Sequence, residues 1–263
     1  MSRLLGKRVW VTGASAGLGE AMARWAADEG ADLILSARRE PVLQELRTSL
    51  PRPEAHKVAP LDLADVSDLC SLAERIGPVD YLINNGGISQ RDTALNTAMS
   101  VTRRIMEVNF FGNVELARCA APAMVRRRRG HIVTVSSVVG HMGTPLRSSY
   151  AASKHALHGY YDSLRYELAR HNVRVTIVSP GYIHTDISRN AVTGDGTRQG
   201  TMDRGQAGGM APAEFARRAW RGILKGRPEV YVGGTELGGI YLKRFAPRLL
   251  DRIMLRRKWD SEA

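Results

Sequence analysis

Short apolar runs recur along the chain, each a few residues long and each stopped by Gly, Pro, Asn or a charge. The first is Arg8-Val9-Trp10-Val11-Thr12, ended by Gly13, and the second Asp32-Leu33-Ile34-Leu35-Ser36-Ala37. Others fall at residues 56–61, 80–84, 131–136, 173–179 and 229–232. They are rich in Val, Ile and Leu, as strands buried on both faces of a parallel sheet are. Most intervals between them are long enough for a helix. About seven strands with helical crossovers predict an α/β fold, one doubly wound parallel sheet in a single domain over residues 1–263. Residues 97–129 are helical in pattern and end in Arg126-Arg127-Arg128-Arg129-Gly130. Basic residues followed by Gly form a helix stop signal, which accounts for the arginine run better than a nucleic-acid surface does. The most loop-like stretch, residues 189–209, is rich in Gly, Thr, Asp and Arg. It is expected to be mobile and, at that length, functional.

From residue 237 to about 258 the chain is basic and amphipathic. Arg244, Arg248, Arg252 and Arg256 recur every fourth position, and Leu242, Phe245, Leu249 and Ile253 mark another face. Pro247 should divide any helix there. Two readings stay open: a helix packed on its own domain or a partner subunit, which is the favoured one, and a segment lying on an anionic membrane surface.

Composition changes this picture little: 43% of the 263 residues are hydrophobic and 24% charged. No apolar run approaches the roughly 18 residues a membrane helix needs. The chain runs from Met1 into the first strand without a signal-like apolar region, so a cytoplasmic location is expected. Cys70 and Cys119 lack metal-ligand spacing; they read as buried thiols in a reducing compartment, and no metal is expected. The net charge of +12 favours an anionic partner such as a phosphorylated cofactor or acidic lipid, or is simply a solvated basic surface. No interleaved basic and aromatic motif argues for nucleic acid.

The first strand ends in Thr12-Gly13-Ala14-Ser15-Ala16-Gly17-Leu18-Gly19, before an apolar helical segment at 20–29. Glycines in such a turn let the backbone approach a pyrophosphate seated at the helix N-terminus. The spacing is G-x-x-x-G-x-G. Further on stand Asn84-Asn85-Gly86-Gly87 after the fourth strand, Asn109 mid-helix and Ser137 closing the fifth strand. Tyr150-Ala151-Ala152-Ser153-Lys154 and Pro180-Gly181-Tyr182-Ile183-His184-Thr185 follow. Together and in this order they resemble the short-chain dehydrogenase/reductase family, over most of the chain. Gly86 stands where the family usually has Ala. The segments 85–91 and 190–203 are similar to the member 7/7B branch of the animal dehydrogenase/reductases.

Tyr150 and Lys154 are i and i+4 and share a helix face. An ammonium near a phenol is expected to lower its pKa toward working pH, so that Tyr150 acts as acid or base on a carbonyl or alcohol. Ser137 would hydrogen-bond the same oxygen. The resemblance further implies that Lys154 holds the nicotinamide ribose and that Asn109 anchors a water on the proton path. It also implies a Rossmann-like fold, a homodimer or homotetramer, and a dinucleotide site that includes Gly13, Ser15, Ala16, Gly17, Leu18 and Gly19. Asp62 and Leu63 resemble the adenine-contacting pair; Asp62 also fits the N-cap of a helix starting at Ala64. Asn85, Gly86, Gly87, Pro180, Gly181, Ile183 and Thr185 complete the site. Each motif taken singly has a structural reading: Tyr-x-x-x-Lys as helix surface, Ser137 as a turn residue, Asn109 as a buried polar group.

An NAD-selecting fold places Asp or Glu at the end of the second strand. Here Ala37 is followed by Arg38 and Arg39. A guanidinium binds a 2′-phosphate, so NADP(H) is the expected cofactor, with Arg38 the main determinant, Arg39 secondary and Ser15 adding a hydroxyl. Arg38 and Arg39 also read as a solvated loop start. The segment 186–211 is expected to form the substrate loop, and His141, Met142, Leu146, Tyr182 and His184 to line the pocket. The branch resemblance implies a lipid-, steroid- or retinoid-like substrate and membrane-associated relatives, whose N-terminal anchor this sequence does not show. A non-catalytic dinucleotide sensor with a lipid- or RNA-facing surface is the alternative, and an extended-family sugar-nucleotide epimerase fits the glycine spacing poorly.

Overall fold

The computed structural model describes residues 3–256. Seven parallel strands form one sheet in the order β3-β2-β1-β4-β5-β6-β7. They are β1 Arg8–Thr12, β2 Asp32–Ser36, β3 Lys57–Val58, β4 Tyr81–Asn84, β5 Gly130–Val135, β6 Val173–Pro180 and β7 Glu229–Val232. Each apolar run of the sequence is one of these strands. Side-chain alternation along a strand sends neighbours to opposite faces. Val9 and Val11 face one core, while Trp10 between them faces the other. The first core is roofed by α1 Gly17–Asp28, α2 Glu40–Ser49 and α8 Pro212–Leu224, through Met22, Leu43 and Trp220. The second is roofed by α3 Leu69–Ile76, α5 Gly112–Arg127 and α6 Ser148–Ala169, through Leu69, Leu116 and Leu157.

The strand order reverses at β1, whose neighbours are β2 and β4. Connections leaving β1 and β4 therefore diverge at the carboxyl ends, opening the crevice where such sheets bind ligands.

The helical interval divides into α4 Met99–Met106, a π-helical turn Glu107–Phe111, and α5. It stops where the arginine run predicts, but the left-handed cap is Arg128 (φ +48°), not Gly130, which already belongs to β5. Gly130 serves packing instead: a Cβ there would run into Met124. The helix after β3 starts at Leu69, so Asp62 does not cap a helix at Ala64; its carboxylate accepts from the Ala64 amide in a local turn (2.9 Å).

The C-terminal segment breaks at Pro247 as expected, into α9 Gly238–Phe245 and α10 Pro247–Arg256. Residues 257 and 258 of that segment lie outside the described residues. No helix among the described residues is long and apolar enough to cross a membrane.

The cysteines depart from expectation. Cys70 on α3 is exposed, and it is joined to Cys119 on α5 by a disulfide. The pairing spans 49 residues and arises because α3 and α5 pack side by side, a contact that spacing alone does not reveal.

Candidate active site

The turn after β1 is held open by backbone geometry. Gly13 and Gly17 have φ of +64° and +60°, the region in which a Cβ is strained. A Cβ at Gly13 would lie 2.8 Å from Asn85 Nδ2, and one at Gly19 would overlap the Gly13 carbonyl. Gly19 thus lets α1 sit against its own turn and does not face the cleft. The α1 amides begin at Gly17, where the first turn of a helix leaves N–H groups without intrahelical partners. Thr12 Oγ1 accepts from the amides of Asn85 (3.0 Å) and Gly86 (3.1 Å), fastening the ends of β1 and β4 together. Gly86 has its own packing reason: an alanine Cβ there would lie 2.5 Å from Leu63 Cδ1.

One cleft of about 1530 Å³ runs along these carboxyl ends. Of the residues singled out for a dinucleotide, every one except Gly19 lines it: the glycine turn, Arg38 and Arg39, Asp62 and Leu63, Asn85 to Gly87, Tyr150, Lys154, and Pro180, Gly181, Ile183 and Thr185. The turn through Gly13 and Gly17, both at positive φ, sets the first amides of α1 at the cleft wall as a cradle, which fits a pyrophosphate seated at a helix N-terminus. Arg39 Nη2 donates to both the Ser15 carbonyl and the Ser15 hydroxyl at 3.3 Å, while Arg38 stands exposed beside it.

Ser137, Tyr150 and Lys154 meet on the cleft floor. Ser137 stands beside the Tyr150 hydroxyl and favours its ionised form. Lys154 Nζ lies 5.6 Å from the Tyr150 ring centre and donates to the Val135 carbonyl at 2.8 Å. The expected lowering of the phenol does not hold. Burial pushes Tyr150 above its ordinary value, against the opposing pull of Arg147 and of Ser137. Lys154 is fully buried, and burial depresses it to about 8.

Asn109 lies behind the cleft wall, in the π-turn. Its Oδ1 accepts from the Ile88 amide (2.8 Å), and its Nδ2 donates to the Ile88 carbonyl (2.9 Å) and to Ser153 Oγ (3.0 Å). The side chain thus clamps the segment after β4 to α6 at Ser153, next to Lys154 and one turn after Tyr150.

Met142, Tyr182 and His184 line the cleft as expected; His141 and Leu146 do not. The His141 ring turns inward, with Nε2 3.0 Å from Ser179 Oγ and its centroid 4.2 Å from that of His158. Leu146 adopts φ +66° and is buried. That turn gives Arg147 the place in the cleft wall.

Among the charged cleft residues that sequence reasoning missed, Arg91, Arg147, Asp203 and Glu236 brace its wall. Asp203, in the substrate loop just before the short helix α7 Arg204–Ala207, pairs with Arg147 and with Arg91 (Nε–Oδ1 3.4 Å). This latch, together with hydrogen bonds from Val192 to Ser89 (2.9 Å) and Ala98 to Gly194 (2.9 Å), ties the loop to the body. Glu236 Oε1 accepts from the amides of Tyr182 (2.8 Å) and Gly234 (2.9 Å), and a Cβ at Gly181 would overlap it. Glycine at 181 therefore lets a carboxylate brace the Pro180-Gly181 turn. Apart from Gly234, the partners of these charges lie 54 or more residues away, and such pairs leave no mark in a single sequence.

Residues 7–196 match the family described as short chain dehydrogenase. Dehydrogenase/reductase SDR family member 7B of Bos taurus is 41% identical over 261 residues, which cover 95% of this chain and 80% of that protein. Dehydrogenase/reductase SDR family protein 7-like of Anopheles gambiae is 42% identical, covering 97% and 84%. Among solved structures, a short chain dehydrogenase from Burkholderia cenocepacia in complex with NADP superposes with a TM-score of 0.82. It has 26% identity over 98% of this chain and 100% of that one. Fold, ordered motifs and a match over most of its length agree: the chain belongs to the short-chain dehydrogenase family.

Proposed function

We propose that this protein is an NADP(H)-dependent oxidoreductase that interconverts a carbonyl and an alcohol on a hydrophobic, lipid-, steroid- or retinoid-like substrate. The observation that carries the reading is the meeting of Ser137, Tyr150 and Lys154 on the floor of a cleft whose other end is the glycine cradle. When bound, the nicotinamide supplies or accepts the hydride. In reduction the Tyr150 hydroxyl gives its proton to the carbonyl oxygen, leaving a phenolate; in oxidation that phenolate takes the proton from the alcohol. Ser137 holds that oxygen by a hydrogen bond. Lys154 places a cation beneath both. The raised pKa of Tyr150 keeps the phenol protonated at neutral pH, the form that carbonyl reduction needs. A non-catalytic dinucleotide sensor would use the cradle but has no need of this triad. Assembly as a homodimer or homotetramer belongs to the same reading and is checked by light scattering.

Ala37 in place of an acidic residue directly after β2, the pair Arg38 and Arg39, and the NADP held by the Burkholderia cenocepacia relative support NADP(H). Titration calorimetry with NADPH and NADH is the direct test. NADPH should bind more tightly, and either Arg38→Asp or Arg39→Asp should cut that preference by about 10-fold or more, roughly 1.4 kcal/mol. The Ser15 contact of Arg39 puts its effect on a par with that of Arg38. An unchanged NADPH/NADH ratio in both variants would sink the assignment, and no binding of either dinucleotide would sink the enzyme reading.

The C-terminal helices support a peripheral membrane site. Leu250 and Met254 pack with Val138 and the cleft residue Met142, so one face of α10 meets its own domain as the favoured expectation had it. A second apolar face stays bare: Phe245 is 80% exposed and Leu255 86%, with Tyr241, Leu249 and Ile253 beside them. Lys243, Arg244, Arg248, Arg252 and Arg256 flank it against the single acid Asp251. Cations around exposed apolar side chains suit an anionic lipid surface. The protein should co-sediment with phosphatidylserine vesicles, Phe245→Glu with Leu249→Glu should abolish this, and turnover of a soluble substrate should persist. Absence of vesicle binding by the intact protein would end the idea.

A further inference from the structure

The disulfide joins two helices at the surface, away from the cleft, and it has a third participant. Glu115 lies one turn before Cys119 on α5. Its Oε1 is 3.6 Å from the sulfur of Cys70 and 3.6 Å from that of Cys119. One thiolate-bearing position on α3, one on α5 and one carboxylate thus converge, with all three donor atoms within 4.8 Å of one another. The other carboxylate oxygen, Oε2, is held by Arg118 at 2.6 Å.

Zinc binds Cys sulfur and carboxylate oxygen at about 2.0–2.3 Å in a tetrahedron, so neighbouring donors stand roughly 3.5 Å apart. Both sulfur-to-oxygen separations already match that edge. Only the third edge, sulfur to sulfur, has to open, and it opens when the bond between the sulfurs is reduced. The Cα atoms are 4.9 Å apart, close enough for side-chain rotation alone to reposition the thiolates. Arg118 does what a second-shell partner does at a metal site: it fixes the carboxylate so that the free oxygen points inward. Cys70 is exposed, which supplies the entry path.

We propose that Cys70, Glu115 and Cys119 form a switchable surface site. In one form it is closed as a disulfide; in the other, reduced form it seats a soft divalent cation such as Zn²⁺ on two thiolates and one carboxylate, with a water in the fourth position. The conversion balances. Two small-molecule thiols reduce the disulfide, giving two protein thiols and one small-molecule disulfide. Zn²⁺ then displaces two protons as it binds both thiolates. A dithiol of this kind has two competing fates, oxidation and metal capture, and each excludes the other. The site is independent of the oxidoreductase reading, because none of its three residues lines the cleft.

The test uses the whole chain. Protein treated with glutathione disulfide and digested without reductant should yield the Cys70–Cys119 cross-linked peptides. Fully reduced protein, freed of reductant and titrated with Zn²⁺ against a chromophoric chelator, should bind one equivalent, and the oxidised protein none. Cys70→Ser should lose both behaviours, and Glu115→Gln should weaken Zn²⁺ binding about 10-fold or more while leaving the cross-link intact. Zn²⁺ binding that survives Cys70→Ser, or that is equal in reduced and oxidised protein, overturns the site. So does reduced protein that binds none. Circular dichroism of each variant separates loss of the site from loss of the fold.

Discussion

Replacing Tyr150 by Phe should lower turnover by about 1,000-fold, within the 10²–10⁴ range of a positioned acid–base group, and leave dinucleotide binding intact. The hydroxyl is the only atom removed. The ring keeps its place among Val139 and Ala151, so the variant should unfold at nearly the temperature of the parent. The buried phenol, raised by desolvation with Ser137 beside it, has no substitute on the cleft floor. Lys154 is fastened to the Val135 carbonyl, and the Asn109 amide is committed to Ile88 and Ser153. Ser137→Ala should cost less, about 100-fold, because it takes away one hydrogen bond to the reacting oxygen and no proton. Stopped-flow hydride transfer with NADPH and a panel of hydrophobic ketones measures both. Turnover of Tyr150→Phe within about 10-fold of the parent would remove Tyr150 from the chemistry.

The order in which these residues yielded to sequence reading follows from the range of the forces involved. Most of the strands were legible because they are buried on both faces and read as short apolar runs; β3, an edge strand with Lys57 exposed and Val58 half-buried, was legible only as part of a wider run. The Tyr150–Lys154 pair and the glycine turn are local, so spacing carries them. Asn109 was found as a residue but not as a geometry. A π-turn adds one residue to a helix without disturbing the polar pattern around it, and the Ile88 partner lies 21 positions away. The latch of Arg91, Arg147 and Asp203, the Glu236 brace and the Cys70–Cys119 pair were invisible for one reason. Each joins segments that only the packed sheet brings together, and charged or sulfur-bearing side chains have no periodicity that names their partners. His141 and Leu146 failed differently. They flank the right residues in sequence, but the left-handed backbone at Leu146 turns its side chain inward and hands the cleft position to Arg147. The same distinction bears on Tyr150. Its neighbour Lys154 suggested a lowered phenol, whereas the degree of burial, which no spacing reports, sets the opposite direction.

Lys154→Met should cut turnover to a low residual level while leaving the fold as stable as before or slightly more so. Lys154 is buried, and burial depresses it from 10.5 to about 8. At one pKa unit per 1.36 kcal/mol, holding that ammonium charged inside the fold at pH 7 costs roughly 3 kcal/mol. Methionine has similar length and no charge, so the substitution relieves this cost. It leaves the Val135 carbonyl without the donor now 2.8 Å away, a loss of about 1–3 kcal/mol. The two nearly cancel, and denaturant unfolding at pH 7 should place the variant between equal stability and a gain of about 2 kcal/mol. The pH dependence gives the sign a second reading. The folded pKa lies below the unfolded one, so the destabilisation is complete below pH 8 and is relieved as pH rises through 8 toward 10.5. Wild type should therefore gain on the variant across that window. Activity should move the other way. Above about pH 8 Lys154 loses its proton while Tyr150, pushed upward, keeps its own, so wild-type kcat/KM for reduction should fall there. The variant should show only a low, flat profile. A variant less stable than the parent by more than about 2 kcal/mol would mean that Lys154 is held by interactions worth more than its desolvation, and that the lysine is there for the fold as much as for the reaction.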